Sequence, residues 1–268
     1  MAKPIKTYRR IAQISTLMAI FIIPFLNVWE IYFIKGTFYS MDIGDAAIAD
    51  PLAVFQSIVA SGKLNAYMIG SVVIPLALMM LLGRVWCSWF CPYYLLTEWI
   101  EVAKKKLGMN LKKPAYDKQY PSRASKFRFI FLLLGLLAMM VIGVPVLNLI
   151  SAPGILSSQA LVIVKFGYVT FELVIVFAIL FMELFYYRYW CRLFCPTGTF
   201  LSLFRYKRGM TVYKVKADCS MCHSCVNTCP MVINPMADGE SLHCNNCGDC
   251  IDVCPDNKKE ETLKFTFK

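Results

Sequence analysis

Four apolar runs constrain this chain more than any other feature of its sequence. They cover residues 11–34, 66–86, 127–150 and 166–187. Each is long enough for a helix to cross roughly 30 Å of hydrocarbon at about 1.5 Å per residue. With 58% hydrophobic and 17% charged side chains, the chain is also too apolar for an ordinary soluble domain. The sequence therefore predicts a membrane domain with four spanning helices, of which the first is an uncleaved span rather than a signal peptide.

Lysine and arginine are unevenly distributed around these runs. Four precede the first run, ten lie between residues 84 and 128, and eleven follow from residue 188 onward. The two remaining connections contain only Lys35, Lys63 and Lys165. By the positive-inside rule, the N terminus, the central connection and the tail are predicted to be cytoplasmic. This distribution accounts for the net charge of +11 and argues against nucleic-acid binding.

A nine-residue phrase, R-x-W-C-x-x-F-C-P, ends the second and fourth runs at residues 84–92 and 188–196. The first and third runs share a second pattern, P-x-L-N, which ends at Asn27 and at Asn148. Two matching hairpins in the same orientation predict a parallel repeat about a pseudo-two-fold axis along the membrane normal. We expect each phrase to present two thiols on one face of a helix that stops before its proline. The repeat would bring four cysteines together, Cys87, Cys91, Cys191 and Cys195.

Shorter elements are predicted in the connections. We expect residues 35–65 to form a long outer loop with a short amphipathic helix at 51–60. Residues 93–107 and 200–206 should form helices on the inner membrane surface. The runs and their connections make up a predicted membrane domain of residues 1–206.

The composition changes after residue 206, and eight of the twelve cysteines lie between residues 219 and 254. They form the pattern C-x2-C-x2-C-x3-C-P twice. Three thiolates on a tight loop hold three corners of a cubane, whereas the fourth binds the other cluster. One predicted [4Fe-4S] cluster is held by Cys219, Cys222, Cys225 and Cys254, and the second by Cys244, Cys247, Cys250 and Cys229. Zinc is the alternative, but this spacing is more specific than the paired C-x2-C of zinc sites.

The flanks of this segment complete a small domain of residues 207–268. Residues 210–216 and 262–268 alternate in polarity and are predicted to pair as two strands. His223 and His243 are expected at the surface or behind the ligands, since each cluster already has four thiolates.

The four cysteines of the repeated phrase allow two interpretations. They could hold a third iron–sulfur cluster or another thiophilic metal. They could also pack as small buried hydrophobic residues.

Polar residues within the apolar runs are candidates for a quinol site. Glu30 lies three residues after Asn27, so that both would share a helix face near the outer surface. There they could bind and deprotonate a quinol hydroxyl. Asn148 occupies the matching place in the second half.

With these motifs the chain resembles the NapH-type membrane-bound ferredoxin proteins, which include MauN and are related to the C-terminal module of NosR and to CcoG/RdxA. The resemblance covers essentially the whole chain and rests on the paired phrases and the double ferredoxin pattern. It implies a four-helix protein of the bacterial inner membrane. Such a protein takes electrons from quinol and passes them to a partner redox protein in an anaerobic respiratory system.

The predicted fold is thus a membrane all-α four-helix bundle of two parallel-repeat hairpins, followed by a small α+β bacterial two-cluster ferredoxin domain. We expect a quinol dehydrogenase subunit of a larger oxidoreductase complex, with membrane lipid, the quinone pool and ferredoxin-like or terminal oxidoreductase subunits as partners. The direction of electron flow stays open. The alternatives are a copper reductase or metalloenzyme assembly factor that uses the four membrane cysteines, and a redox sensor.

Overall fold

The computed structural model of this protein describes residues 4–29, 34–44, 46–109, 113–204, 209–214, 219–258 and 262–267. Helices predominate, as the sequence predicts. The first half contains α1 (Ile5–Val28), β1 (Ile34–Thr37), β2 (Ser40–Ile43), β3 (Ala46–Ala49), α2 (Pro51–Ser61), α3 (Ala66–Leu82) and α4 (Pro92–Lys106). The second half contains α5 (Tyr120–Ile142), α6 (Val146–Leu149), α7 (Ala152–Phe166), α8 (Glu172–Phe185) and α9 (Pro196–Phe204). The tail contains β4 (Met210–Lys214), α10 (Ser224–Thr228), α11 (Pro235–Asp238), α12 (Asp249–Val253) and β5 (Leu263–Phe267).

Two of these helices are long and apolar enough to cross a membrane, α1 with 24 residues and α5 with 23. Helices α3 and α8 have 17 and 14 residues, which is about 25 and 21 Å at roughly 1.5 Å per residue. Among the described residues, the structure therefore has two helices of sufficient length where we expected four. The four-helix bundle remains a prediction.

The long helices also end at different residues than the predicted spans. Helix α1 stops at Val28, and β1 begins at Ile34, inside the predicted first span. Hydropathy alone does not mark the residue at which an apolar helix ends, so the predicted span extends beyond Val28. Helix α5 starts earlier than expected, at Tyr120, and stops at Ile142, because Gly143 takes a left-handed conformation with φ 74°.

The connection between α1 and α3 contains the predicted short helix, as α2 (Pro51–Ser61), and a sheet that we did not expect. It contains an antiparallel sheet in the order β1-β2-β3. The turn between β1 and β2 reaches the first cysteine phrase, where the Tyr39 hydroxyl donates a hydrogen bond of 3.4 Å to the carbonyl of Phe90. The ring of Phe38 stacks on Trp86 with the centroids 5.8 Å apart. This segment therefore folds back against the cysteines.

Helices α2 and α7 occupy equivalent places in the two halves. Each has a proline in its first turn, Pro51 or Pro153, where the missing N–H costs no hydrogen bond. Just before α7, Ser151 Oγ lies 2.9 Å from Thr197 Oγ1, which follows the second phrase. At the start of α2, Pro51 lines a cavity together with Trp86 and Phe90 of the first phrase, so both helices begin beside a cysteine phrase.

The tail forms a two-stranded sheet with short helices. Strands β4 and β5 pair antiparallel from Met210 opposite Phe267 to Lys214 opposite Leu263, which confirms the predicted pairing. The tail is also bonded to the start of α1, since the backbone N–H of Ile5 donates to the Asp252 carboxylate at 2.9 Å. It is therefore held directly against the helical part of the chain.

Candidate iron–sulfur sites

The second predicted ferredoxin site is a small cavity of about 10 Å³ in the tail. The cysteines in its wall are those that the double pattern assigns to one cluster, Cys229, Cys244, Cys247 and Cys250. All four are buried, and together they come from both copies of the pattern. Four thiols around one closed space fit a [4Fe-4S] cluster in donor type and number.

The first predicted ferredoxin site lies nearer the surface. Cys225 and Cys254 are buried in the core of the tail, whereas Cys219 is half-buried and Cys222 is exposed. Burial raises the pKa of the Cys225 thiol. The two ferredoxin sites thus differ in their access to solvent.

The four cysteines of the repeated phrase line a single small cavity of about 30 Å³, which we call the quartet cavity. They are Cys87, Cys91, Cys191 and Cys195. The repeat therefore places the two thiol pairs around a common space.

The local conformation of each phrase differs from the predicted α-helical face. Residues Trp86–Phe90 and Trp190–Phe194 form π-helical turns. Cys91 then leaves the turn with an extended backbone, φ −83° and ψ 117°, and the following proline starts α4. Such wide turns are frequent at functional sites. As a result, the two thiols of each phrase are not spaced as they would be on a regular α-helix.

Backbone N–H groups at the starts of α4 and α9 point at the sulfurs. The amides of Tyr93 and Tyr94 donate to Cys91, and the amide of Gly198 donates to Cys195 Sγ at 3.3 Å. Hydrogen bonds to the sulfurs are one of the factors that set the reduction potential of an iron–sulfur cluster. Burial raises the pKa of the Cys91 and Cys191 thiols, so that a bound metal is what would keep them as thiolates.

Two arginines, neither predicted as a site residue, lie beside these sulfurs. Arg84 and Arg128 are each 2% exposed. A Cβ atom on Gly198 would lie 3.3 Å from Arg84 Nη2, 3.5 Å from Cys195 Sγ and 3.6 Å from Arg128 Nη2. The ion pairs of the described residues involve other cations, and none joins either guanidinium to a carboxylate. Two buried positive charges therefore face the cysteines.

His243 lies behind this pair, buried rather than at the surface. Its Nε2 is 3.0 Å from Ser125 Oγ and its Nδ1 is 3.4 Å from Arg128 Nη1. Burial and the neighbouring guanidiniums of Arg128 and Arg84 lower the pKa of His243 to about 3. The imidazole is therefore neutral.

The quartet cavity adjoins the buried ferredoxin site. Met231 and Asn245 line both cavities. Across the same boundary, the Trp89 indole N–H donates to the carbonyl of Asn246 at 3.2 Å. One layer of side chains therefore separates the two groups of cysteines.

The residues predicted for a quinol site have other partners. Asn27 Nδ2 donates to the carbonyl of Gly36 at 3.1 Å, and Asn148 Oδ1 accepts a hydrogen bond of 2.9 Å from Gln56. Glu30 lies outside the described residues. The Asn27 amide therefore binds the backbone of β1, and the Asn148 amide binds a side chain of α2.

Among the described residues, no group of three or more His, Cys, Asp or Glu side chains is arranged to hold a single metal ion.

Comparison with known proteins agrees with the iron–sulfur assignment. The family model of a 4Fe-4S binding domain matches residues 64–110 and 168–212. These two segments contain the two cysteine phrases rather than the double ferredoxin pattern. The match therefore bears on the quartet cavity.

Curated relatives match most of the chain. The methylamine utilization ferredoxin-type protein MauN of Paracoccus denitrificans is 29% identical over 87% of this chain and 78% of its own length. The ferredoxin-type protein NapH of Haemophilus influenzae is 27% identical over 83% and 74%. An uncharacterized protein of Methanocaldococcus jannaschii is 26% identical over 75% and 79%. No solved structure matches the chain.

The cysteine sites and these relatives define an iron–sulfur electron-transfer protein. The resemblance found in the sequence is confirmed: the chain is a homologue of the NapH and MauN ferredoxin-type proteins.

Proposed function

We propose that this protein is a membrane electron-transfer subunit that oxidises quinol and passes the electrons through three iron–sulfur clusters to a partner redox protein. Its setting would be an anaerobic respiratory complex in the bacterial cytoplasmic membrane. The observation that carries this proposal is the contact between the quartet cavity and the buried ferredoxin site through Met231 and Asn245. The ferredoxin site with Cys222 lies nearer the surface. The three sites therefore form a continuous series from the apolar helices to the surface.

The assignment of a cluster to the quartet cavity rests on charge as well as on donor number. Arg84 and Arg128 are buried without a carboxylate partner among the described residues. An uncompensated buried charge is costly, so an anion is expected beside them. A [4Fe-4S] cluster with four thiolate ligands is such an anion, and it supplies one-electron transfer. Four protonated thiols would leave both cations unpaired.

The two ferredoxin sites have different positions in the proposed electron-transfer path. The site with Cys229 and Cys247 is buried and shares Met231 and Asn245 with the quartet cavity, so we assign it as the acceptor of electrons from that cavity. The site with Cys222 is open to solvent. We therefore assign the partner redox protein to the surface around Cys222.

The oxidation of quinol must balance in electrons and protons. One quinol loses two electrons and two protons to become quinone. Each cluster accepts one electron at a time, so the electrons leave in two steps, and the protons pass to water. A lipid-soluble donor must reach the protein from the bilayer, which agrees with the apolar surface of α5, where Met140 is 66% and Val141 is 88% exposed.

Membrane topology is part of the proposal. We place four spans in residues 1–206 and the two-cluster domain in residues 207–268, with both termini in the cytoplasm. The helices α1 and α5 support membrane insertion. The concentration of lysine and arginine before, between and after the hairpins supports the orientation.

Anaerobic iron and sulfide analysis with EPR spectroscopy tests the three-cluster assignment. Wild-type protein purified in detergent should contain about twelve iron atoms per chain, and the double variant Cys87→Ser/Cys191→Ser about four fewer. Arg123→Gln, at an exposed surface position, is the matched control and should keep the full content. Iron for only two cubanes, unchanged in the double variant, would contradict the assignment. Copper bound by the wild type and lost in the double variant would favour metal reduction or assembly.

Quinol oxidation is tested separately. A reduced quinol analogue should reduce the clusters of the wild-type protein under anaerobic conditions when the native partner is present. Absence of cluster reduction, in protein with full iron content, would overturn the quinol part of the proposal and leave the iron–sulfur part standing.

A further inference from the structure

A large apolar cavity lies next to the quartet cavity, between α3 and the folded-back connection, which contains β1, β2 and β3. It has a volume of about 350 Å³. Its wall is formed mainly by apolar side chains, among them Phe38, Met41, Ile74, Leu78, Met79 and Trp86. Cavities of this size and lining bind apolar small molecules, with a few polar groups to fix orientation.

One carboxylate faces this apolar wall. Asp50 is the only charged residue that lines the cavity in the described part of the chain. It caps α2, since its Oδ1 accepts a hydrogen bond of 3.0 Å from the N–H of Leu52. Its second oxygen has no further hydrogen bond or ion pair among the described residues. Burial raises the pKa of Asp50 to about 6, which is the expected effect of an apolar environment on a carboxylate.

Aromatic rings separate this cavity from the cysteines. Tyr39 and Trp86 line both the apolar cavity and the quartet cavity, as do Thr197 and Leu201. The Trp86 ring lies near Phe90 as well, with centroids 5.2 Å apart and an interplanar angle of 31°. A flat ring that enters the cavity would therefore lie against aromatic faces, one side chain away from the thiols.

We propose that this cavity binds the ring of a membrane quinol, with the carboxylate of Asp50 accepting a hydrogen bond from a ring hydroxyl. The inference rests on the proposed function, since it says where the quinol of that function binds. The cavity unites three properties: an apolar wall for the ring and its tail, one acceptor for a hydroxyl, and contact with the quartet cavity. A lipid acyl chain would use only the apolar wall. The site differs from the predicted one at Asn27, Glu30 and Asn148.

The folded-back connection explains how a site can form there. The backbone N–H of Asp50 donates to the carbonyl of Tyr39 at 2.9 Å. This bond ties the start of α2 to the turn that contacts Phe90. The carboxylate and the aromatic wall are thus held together by the same segment, which a surface loop could not do.

Binding of 2-heptyl-4-hydroxyquinoline N-oxide, a fluorescent quinol analogue, to the full-length protein with its clusters tests the site. Leu78→Trp should fill the cavity and abolish quenching of the bound probe. Asp50→Asn should weaken binding by about fivefold to tenfold, because a neutral acceptor replaces a charged one. Asparagine also caps helices, so α2 should remain intact.

Two control variants match these changes. Leu81→Trp adds the same side chain on α3 at an exposed position outside the cavity wall. Asp42→Asn removes a carboxylate from β2, also outside the wall. Both should bind the probe like the wild type, and all four variants should keep the wild-type iron content.

The outcomes separate this inference from the function on which it rests. If the wild type binds the probe and Leu78→Trp and Asp50→Asn bind it equally well, the site is wrong while quinol oxidation can stand. If quinol does not reduce the wild-type clusters and the probe does not bind, both proposals fail. Abolished binding in Leu78→Trp and binding weakened by about fivefold to tenfold in Asp50→Asn, with the two controls unaffected, support the site.

Discussion

The hydroxyl of Ser88 donates a hydrogen bond of 2.6 Å to the carbonyl of Asn245. Ser88 lies in the first π-helical turn, one residue after Cys87, and Asn245 follows Cys244 in the buried ferredoxin site. Ser88 is fully buried. The bond therefore fixes the position of one group of cysteines relative to the other, although the two residues are far apart in the chain.

Replacement of Ser88 by alanine is expected to destabilise this contact without removing a ligand. The carbonyl of Asn245 would lose a buried hydrogen bond, which costs about 1 to 3 kcal/mol. Differential scanning fluorimetry should show a lower unfolding midpoint with an unchanged iron content. Ser158→Ala is the control, because among the described residues that hydroxyl bonds only within its own helix, to the carbonyl of Ile155. A midpoint equal to that of wild type would contradict the structural role of the bond.

Arg128→Gln is expected to lower the midpoint potential of the cluster proposed for the quartet cavity. Reduction adds negative charge, which a buried guanidinium stabilises, so loss of the cation disfavours the reduced state. A redox titration followed by EPR should show the shift in one cluster, with the two ferredoxin clusters shifted less. Arg123→Gln removes an exposed arginine from the same helix and should leave all potentials unchanged. An unchanged potential in Arg128→Gln would mean that the cation does not face the cluster.

Ligand spacing is a local property, so the sequence alone supports a prediction of the cysteine sites. A cubane requires three thiolates on a short loop, so the positions from Cys219 to Cys254 alone indicate which sulfurs should share a cluster. The quartet followed from a repeat, since the second phrase copies the first. These inferences needed no knowledge of the packing.

Contacts between distant segments could not be predicted in this way. Arg84 belongs to the repeated phrase and so carried a signal, but Arg128 lies in an unrepeated part of α5. Tyr39 reaches the cysteines only because β1 and β2 fold back, and hydropathy predicted a helix up to residue 34 and an outer loop beyond it. Met231 and Asn245 touch the quartet cavity through docking of the tail. All these features depend on tertiary packing.

The two ferredoxin clusters should differ in their sensitivity to oxidants. Cys222 is exposed, and Met221 beside it is 61% exposed, whereas Cys247 is buried. On exposure to air, iron should leave in a fast phase of about four atoms from the open site, followed by a slower phase. The fast phase should be absent in Cys222→Ser and retained in Cys87→Ser/Cys191→Ser. Loss of all iron in one phase from the wild type would show that the sites are equally accessible.

Gly198→Ala should disturb the quartet cavity through steric contact alone. The backbone of Gly198 does not have a positive φ, so alanine introduces no backbone strain. Its Cβ would lie 3.3 Å from Arg84 Nη2 and 3.5 Å from Cys195 Sγ, between a cation and a proposed ligand. Since the Gly198 N–H also donates to this sulfur, a small shift of α9 changes both the charge and the hydrogen bond at the site.

We expect Gly198→Ala to change the EPR signal or lower the occupancy of the cluster in the quartet cavity and to leave the two ferredoxin clusters unchanged. Gly70→Ala is the matched control, because a Cβ at that position on α3 has no neighbour within 4 Å. The iron content and the EPR spectra of both variants, measured anaerobically, test whether Gly198 lies beside a cluster. If the two variants have identical spectra, Gly198 does not lie in the environment of a cluster. If only Gly198→Ala changes, the arginines and Cys195 surround the same bound group.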